Sequence, residues 1–241
     1  MLIYLERGAW NLQLDLNPNW SIFAKICTLE LINPGVQAYA EQFSSTEDEL
    51  LNEINDWTLH NHSNEYQMLS GHLQGKVLEM ISWMVRPKRI LEIGTFTGYS
   101  ALCLAKGLTV DGQLHTIELR NDDAARIKGY FDRSSFASQI ILHVGNALTI
   151  IPELNETWDL VFIDADKAGY IEYFNLVLPK VRQNGFILAD NIFFHGEALE
   201  NNPKSKSAMG LKRFNEFIKG RKDVEKVILT LRDGLYLVRK L

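Results

Sequence analysis

Cysteine is scarce: the 241-residue chain carries two, Cys27 and Cys103. That count excludes a disulfide framework and a cysteine-rich zinc site, and it makes a reducing compartment the expectation. No apolar run approaches the roughly 18 residues that a membrane-spanning helix needs. The opening Met-Leu-Ile-Tyr-Leu-Glu-Arg lacks a basic stretch ahead of an apolar core and lacks a small-residue cleavage site, so a cytoplasmic setting is expected. Internal repeats and low-complexity tracts are missing too. Nor is there an excess of positive charge: 25 Lys and Arg stand against 30 Asp and Glu, a net charge of −5 with no general pull toward nucleic acid or membrane.

What remains is an ordinary globular composition, 46% apolar and 23% charged, on a length that suits a single domain spanning 1–241. The charge is uneven. Residues 1–65 hold ten acids and two bases, whereas 203–222 hold seven bases and one acid, Glu216. That basic run reads either as a solvated helix face or as a patch able to hold phosphates.

Residues 1–65 read as a helical or irregular extension, with Asn-Pro turns at 17–18 and 33–34. Thr46 and Glu49 form a candidate capping box ahead of Leu50, Leu51, Ile54 and Trp57. A helix over 67–85 would bury Leu69, Leu73, Val77, Ile81 and Met84 and stop at Pro87. The core, 66–241, then alternates strands and helices: strands at 89–93, 113–118, 139–144, 159–163 and 185–189, and helices at 98–107, 122–133, 146–152, 168–179 and 207–219. Such alternation predicts a parallel sheet covered on both faces. Strands at 225–231 and 234–239, joined through Asp233-Gly234, predict a closing hairpin and one antiparallel strand at the end of the sheet.

Two strand ends carry chemistry. Strand 159–163 runs into Asp164-Ala165-Asp166-Lys167, and strand 185–189 into Asp190-Asn191. Ligand sites in such sheets lie beyond the carboxyl ends of the strands. Asp164, Asp190 and Asn191 would gather three oxygen donors there, a set suited to a hard cation such as Mg²⁺ or Ca²⁺. Lys167 would stand within reach of whatever the cation holds. Singly, the two acids could equally cap the turns after their strands, and Lys167 could be a surface lysine.

The third feature is Leu91-Glu92-Ile93-Gly94-Thr95-Phe96-Thr97-Gly98-Tyr99-Ser100. Two glycines four apart allow a sharp turn and a close ligand approach, though an ordinary strand-helix turn has the same look. The next strand ends in Glu118, where an acid commonly binds ribose hydroxyls. The loop lacks the Lys-Ser/Thr of a P-loop. A ligand with a ribose but no phosphate fits, and S-adenosyl-L-methionine is one. Asn146, after the third strand, could meet the adenine edge.

Together, Leu-Glu-Ile-Gly-Thr-Phe-Thr-Gly-Tyr-Ser, Ile-Asp-Ala-Asp-Lys, Ala-Asp-Asn and Asp233-Gly234-Leu235-Tyr236-Leu237 resemble the cation-dependent O-methyltransferases, a group that includes the catechol and caffeoyl-coenzyme A enzymes. The resemblance runs from about Pro34 to Leu241. It implies an α/β fold: a three-layer, Rossmann-like sheet of seven mostly parallel strands with one antiparallel strand, plus N-terminal helices. It implies metal ligands at Asp164, Asp190 and Asn191, with Mg²⁺, Ca²⁺ or Mn²⁺ as the ion, and a catalytic lysine at Lys167. It implies cofactor contacts at Ser70, Glu92, Gly94, Thr95, Ser100, Glu118, Asn146, Ala147, Asp164 and Asp166. Asn146 stands where many relatives have Asp. His195 occupies a substrate-contact position that is Asn in the plant enzymes, so their substrate preference does not carry over.

The expected activity is methyl transfer to a hydroxyl of a small aromatic vicinal diol. A tRNA hydroxyl is the alternative acceptor, and a non-catalytic S-adenosyl-L-methionine-binding protein the remote one. A homodimer is expected from the resemblance. Phe193-Phe194 is a candidate pocket wall, and Trp20, Trp57 and Trp83 are candidates for core or interface.

Overall fold

A computed structural model describes residues 33–241; the expectations for the 17–18 turn, Trp20 and Cys27 lie outside the described residues. Seven strands form one sheet: β1 (Arg89–Ile93), β2 (Gln113–Glu118), β3 (Ile140–Val144), β4 (Trp158–Ile163), β5 (Val181–Ala189), β6 (Val224–Leu229) and β7 (Leu235–Lys240). Their spatial order is β3-β2-β1-β4-β5-β7-β6. Helices fill the connections: α1 (Pro34–Gln42), α2 (Glu49–Asn61), α3 (Gly71–Val85), α4 (Tyr99–Ala105), α5 (Ala124–Arg133), α6 (Ala147–Glu153), α7 (Tyr170–Val177) and α8 (Lys206–Gly220). Among the described residues, no helix is long and apolar enough to cross a membrane.

The strands bury both faces, so alternate residues feed opposite cores. Leu91, Ile93, Val161, Ile163, Ile187 and Ala189 pack under α6, α7 and α8. Ile90, Leu114, Leu160, Phe162 and Leu188 pack under α2 to α5. The strand order reverses between β1 and β4, and that switch point opens a crevice at their carboxyl ends.

The structure corrects several local expectations. β7 runs antiparallel to both neighbours, but it lies between β5 and β6 rather than at the sheet's end. The hairpin tucks its more apolar strand inside: Leu235, Tyr236 and Val238 are buried. β6 is left on the edge, where Glu225 and Lys226 discourage further pairing. The helix expected over 67–85 begins only at Gly71, whose φ of +69° breaks the chain after a short 3₁₀ turn at Tyr66–Met68. Its buried face is Gln74, Gly75, Leu78, Ile81 and Ser82, one step round from the expected stripe, and Met84 is exposed. Gly75 explains the rotation. A Cβ there would stand 2.6 Å from the Tyr99 ring and 2.9 Å from Cys103 Sγ, so glycine lets α3 lie close on α4. α2 is capped by Asp48, which accepts from Leu51 N at 2.9 Å, and not by Thr46. The Asn33-Pro34 turn is the start of α1, with Asn33 as its cap. Trp83 is about half exposed and belongs to neither core.

One partly buried pair is expected to make the sheet sensitive to acid. His115 and His143 stack across β2 and β3 with Nδ1 and Nε2 3.0 Å apart. Burial first, then His143, pushes His115 down from 6.5 to about 4. The unfolded chain therefore takes up the proton first, and stability is lost as pH falls from 6.5 toward 4. Urea midpoints across that range should fall more steeply for the native chain than for His115→Leu.

Candidate active site

Crossing from β1 to α4, the chain must pass under β4. Gly94 has φ +100°, and a Cβ on it would lie 1.9 Å from the Asp164 carbonyl oxygen. Only glycine lets the two strand ends touch. Asp164 N donates to Ile93 O at 2.8 Å and completes the junction. The turn after β1 is thus bound directly to the acid that ends β4.

These ends floor a cleft of about 730 Å³. Ser70, Gly94, Thr95, Ser100, Glu118, Asn146, Ala147, Asp164, Asp166, Lys167, Asn191 and His195 all line it. Glu92 and Asp190 lie behind its wall, each buried and each with one carboxylate oxygen lacking a partner.

The half under β1 to β3 is a hydrogen-bonded network. Thr116 Oγ1 donates to Glu92 Oε2, and Thr95 Oγ1 bonds Thr116 Oγ1. Burial, opposed by hydroxyls from Ser100 and Thr116, raises Glu92 to about 8, with Asp164 and Glu118 adding like charge. Glu118 accepts from Phe96 N at 2.7 Å and from Arg120 N at 2.9 Å. Oε1 also takes a long contact of 3.5 Å from Arg120 Nε, whereas Oε2 keeps a lone pair for a further donor. Asn146 caps α6 through Leu148 N at 2.9 Å, leaving its NH₂ for another partner. Asp166 is engaged locally, by Gly169 N at 3.0 Å and by the Tyr173 hydroxyl. Ser70 is 5% exposed and makes no capping bond to α3.

The half under β4 and β5 holds the acids. Lys167 begins a 3₁₀ turn before α7, and its Nζ donates to Asp164 Oδ1 at 2.7 Å and to the Tyr170 hydroxyl at 2.8 Å. That hydroxyl lies 3.1 Å from Asp190 O and 3.2 Å from Ile163 O, so it can donate to the carbonyl ending either strand. Burial alone would lower the Lys167 pKa, but Asp164, Tyr170 and Asp190 outweigh it and raise it. α8 backs the turn closely: a Cβ on Gly210 would stand 2.6 Å from Lys167 O. Asp190 Oδ2 accepts from Gln74 Nε2 at 2.7 Å, and burial with the nearby Asp164 raises its pKa. Asn191 (φ +56°), Phe194 (φ +47°) and His195 (φ +54°) are left-handed. Such strain concentrates at functional sites.

His195 N donates to Asp233 Oδ1 at 2.7 Å, and its ring is largely exposed at the mouth. Phe194 lines the cleft as expected, whereas Phe193 packs under Gly234 instead. Phe96, Arg120, Tyr173 and Asp233 also line the cleft, and Gln74, Tyr170 and Arg232 support it; the sequence reading gave none of them a site role. Gln74 carried no signal along the chain, because it lies off the expected apolar stripe of α3 and its burial follows from the close packing at Gly75. The basic residues of α8 are absent from the cleft lining. A shallower hollow on α2, around Trp57 and His60, contains no candidate.

Known proteins share this arrangement. The family model described as O-methyltransferase matches residues 41–241. The catechol O-methyltransferase of Niastella koreensis is 36% identical over 162 residues, 66% of this chain and 73% of that protein. Caffeoyl-CoA O-methyltransferase 5 of Nicotiana tabacum is 27% identical over 180 residues, 70% of this chain and 75% of its own. Among solved structures, the O-methyltransferase TomG from Streptomyces achromogenes, in complex with SAM, superposes with a TM-score of 0.78 at 31% identity, covering 86% of this chain and 96% of that one. The O-methyltransferase from Bacillus cereus in complex with SAH gives 0.78 at 27% identity, with 86% and 97% covered. With its match running through both halves of the cleft, the chain is an enzyme that belongs to the O-methyltransferase family.

Proposed function

We propose that the enzyme transfers the methyl group of S-adenosyl-L-methionine to a hydroxyl of a small aromatic vicinal diol, with a divalent cation held by Asp164, Asp190 and Asn191. The observation that carries this reading is the unpartnered, buried Oδ1 of Asp190 beside a second carboxylate. A buried carboxylate oxygen without a donor is costly. Two acids and an amide from adjacent strand ends make an all-oxygen set that fits a hard ion such as Mg²⁺, with Ca²⁺ or Mn²⁺ as substitutes.

Glu118, Ser70, Thr95, Ala147 and the Asn146 amide would hold S-adenosyl-L-methionine, whose sulfonium supplies an electrophilic methyl group. Glu92, Ser100 and Gly94 shape the loop beneath it. The cation, when bound, orients the diol and makes its hydroxyl more acidic. Lys167 Nζ takes the proton from that hydroxyl. In the ion pair described above its pKa is raised, which is wrong for a base. A cation held by Asp164 would weaken the main attraction that keeps the proton on Lys167, the direction a base requires. Tyr170 keeps the ammonium or amine in place. Phe194 and His195 form the acceptor side of the cleft.

Transfer of a tritiated methyl group to a panel of catechols and to bulk tRNA, each with Mg²⁺ and with EDTA, tests this. Labelled catechol that disappears with EDTA supports the reading. Label in tRNA alone moves the acceptor class, and label unaffected by EDTA removes the cation.

A further inference from the structure

We infer that Gln74, held by Arg232, is a positioning residue that aims Asp190 at the cation; the inference rests on the cation site proposed above. Gln74 is fully buried on α3. Its Nε2 donates to Asp190 Oδ2 at 2.7 Å. Its Oε1 accepts from an Arg232 guanidinium nitrogen at 3.2 Å. The two contacts fix the amide's orientation. An arginine only donates and an ionised carboxylate only accepts, so the oxygen must face Arg232 and the NH₂ must face Asp190.

The consequence at Asp190 is asymmetric. One oxygen is tied to Gln74 and the other is buried without a partner. The carboxylate cannot rotate without breaking the Gln74 bond, so Oδ1 stays directed away from α3. A ligand oxygen held in this way loses no rotational freedom when a cation binds, and hydrogen-bond partners behind metal ligands typically contribute 10–100-fold in affinity.

Arg232 is anchored in turn. It sits in the β6–β7 turn with φ +47°, and its guanidinium also donates to Ser70 O and to Gln67 O at 3.2 Å. The carbonyls belong to the segment that opens α3 and carries Ser70. One side chain from the hairpin therefore braces the cofactor side of the cleft and, through Gln74, the carboxylate side. The strained backbone at Arg232 is accounted for by this double duty.

The test is Mn²⁺ affinity by isothermal titration, alongside SAH affinity and thermal midpoint in EDTA, for the native enzyme, Gln74→Met and Arg232→Gln. Native binding of Mn²⁺ establishes that the cation site itself stands; its absence sinks that reading and this inference together. Gln74→Met keeps the side-chain length and removes both hydrogen bonds. Its Mn²⁺ dissociation constant is expected to rise about 10–100-fold, with SAH affinity unchanged and kcat largely recovered at saturating Mn²⁺. Arg232→Gln frees the amide without emptying the buried site, and a smaller rise, about threefold to tenfold, is expected. Native Mn²⁺ affinity in either folded variant overturns the inference while leaving the cation site intact. Should Gln74→Met not fold, Arg232→Gln decides alone.

Discussion

Asp190→Asn is expected to lower kcat/KM by a factor of about a thousand or more, because under the proposed function it would remove one of two charged donors from the cation that orients and acidifies the acceptor. The size of the effect follows from the burial. Asp190 is 2% exposed, so little water is at hand to complete the coordination in its place. Asparagine keeps an oxygen for Gln74 Nε2, so the α3 contact survives and the loss is electrostatic rather than a collapse of the wall. The same substitution should act in the opposite direction on the metal-free protein. Burial and the neighbouring Asp164 disfavour the ionised form of Asp190. A neutral amide relieves that penalty, and the thermal midpoint in EDTA is expected to rise. Steady-state kinetics with increasing Mg²⁺, paired with melting in EDTA, check both signs. A variant that keeps native kcat/KM at low Mg²⁺ would refute the assignment.

Lys167→Met should cost about 10²–10⁴ in kcat, the usual range for a positioned general base. Its Nζ is held between Asp164 and the Tyr170 hydroxyl, and its backbone packs on Gly210 of α8, so no neighbouring amine stands in for it. Methionine fills much of the same volume, and SAH binding should persist. Cation affinity should not fall. The ammonium now occupies Asp164 Oδ1 at 2.7 Å, and deleting it removes a competitor for that oxygen. Loss of turnover with equal or tighter Mn²⁺ binding is the signature of a base. Loss of turnover together with weakened Mn²⁺ binding would instead assign Lys167 to the architecture of the site.

Much of this was legible along the chain. Each strand of the alternating region announced itself by a short apolar run, and its carboxyl end falls where the sequence puts it because strand ends are local features. Asp164, Asp190 and Glu118 stand where the sequence put them. The left-handed Asn191 is the kind of residue that tolerates such backbone. The buried face of α3 departs from its apolar periodicity because the role of Gly75 exists only against Tyr99 and Cys103. The capping-box spacing points to Thr46, whereas Asp48 caps α2, because which side chain reaches Leu51 N depends on how the chain enters the helix.

Chain order alone settled the fold class and the carboxyl ends of the strands, and it put forward the residues proposed for a cation, a ribose and a proton, because these depend on neighbours within a few positions. Three-dimensional packing decided which oxygen of Asp190 is tied down, how Arg232 reaches Gln74 from 158 residues away, and where β7 inserts. Those outcomes turn on ångström-scale distances between segments remote in sequence, and no local pattern encodes such a distance.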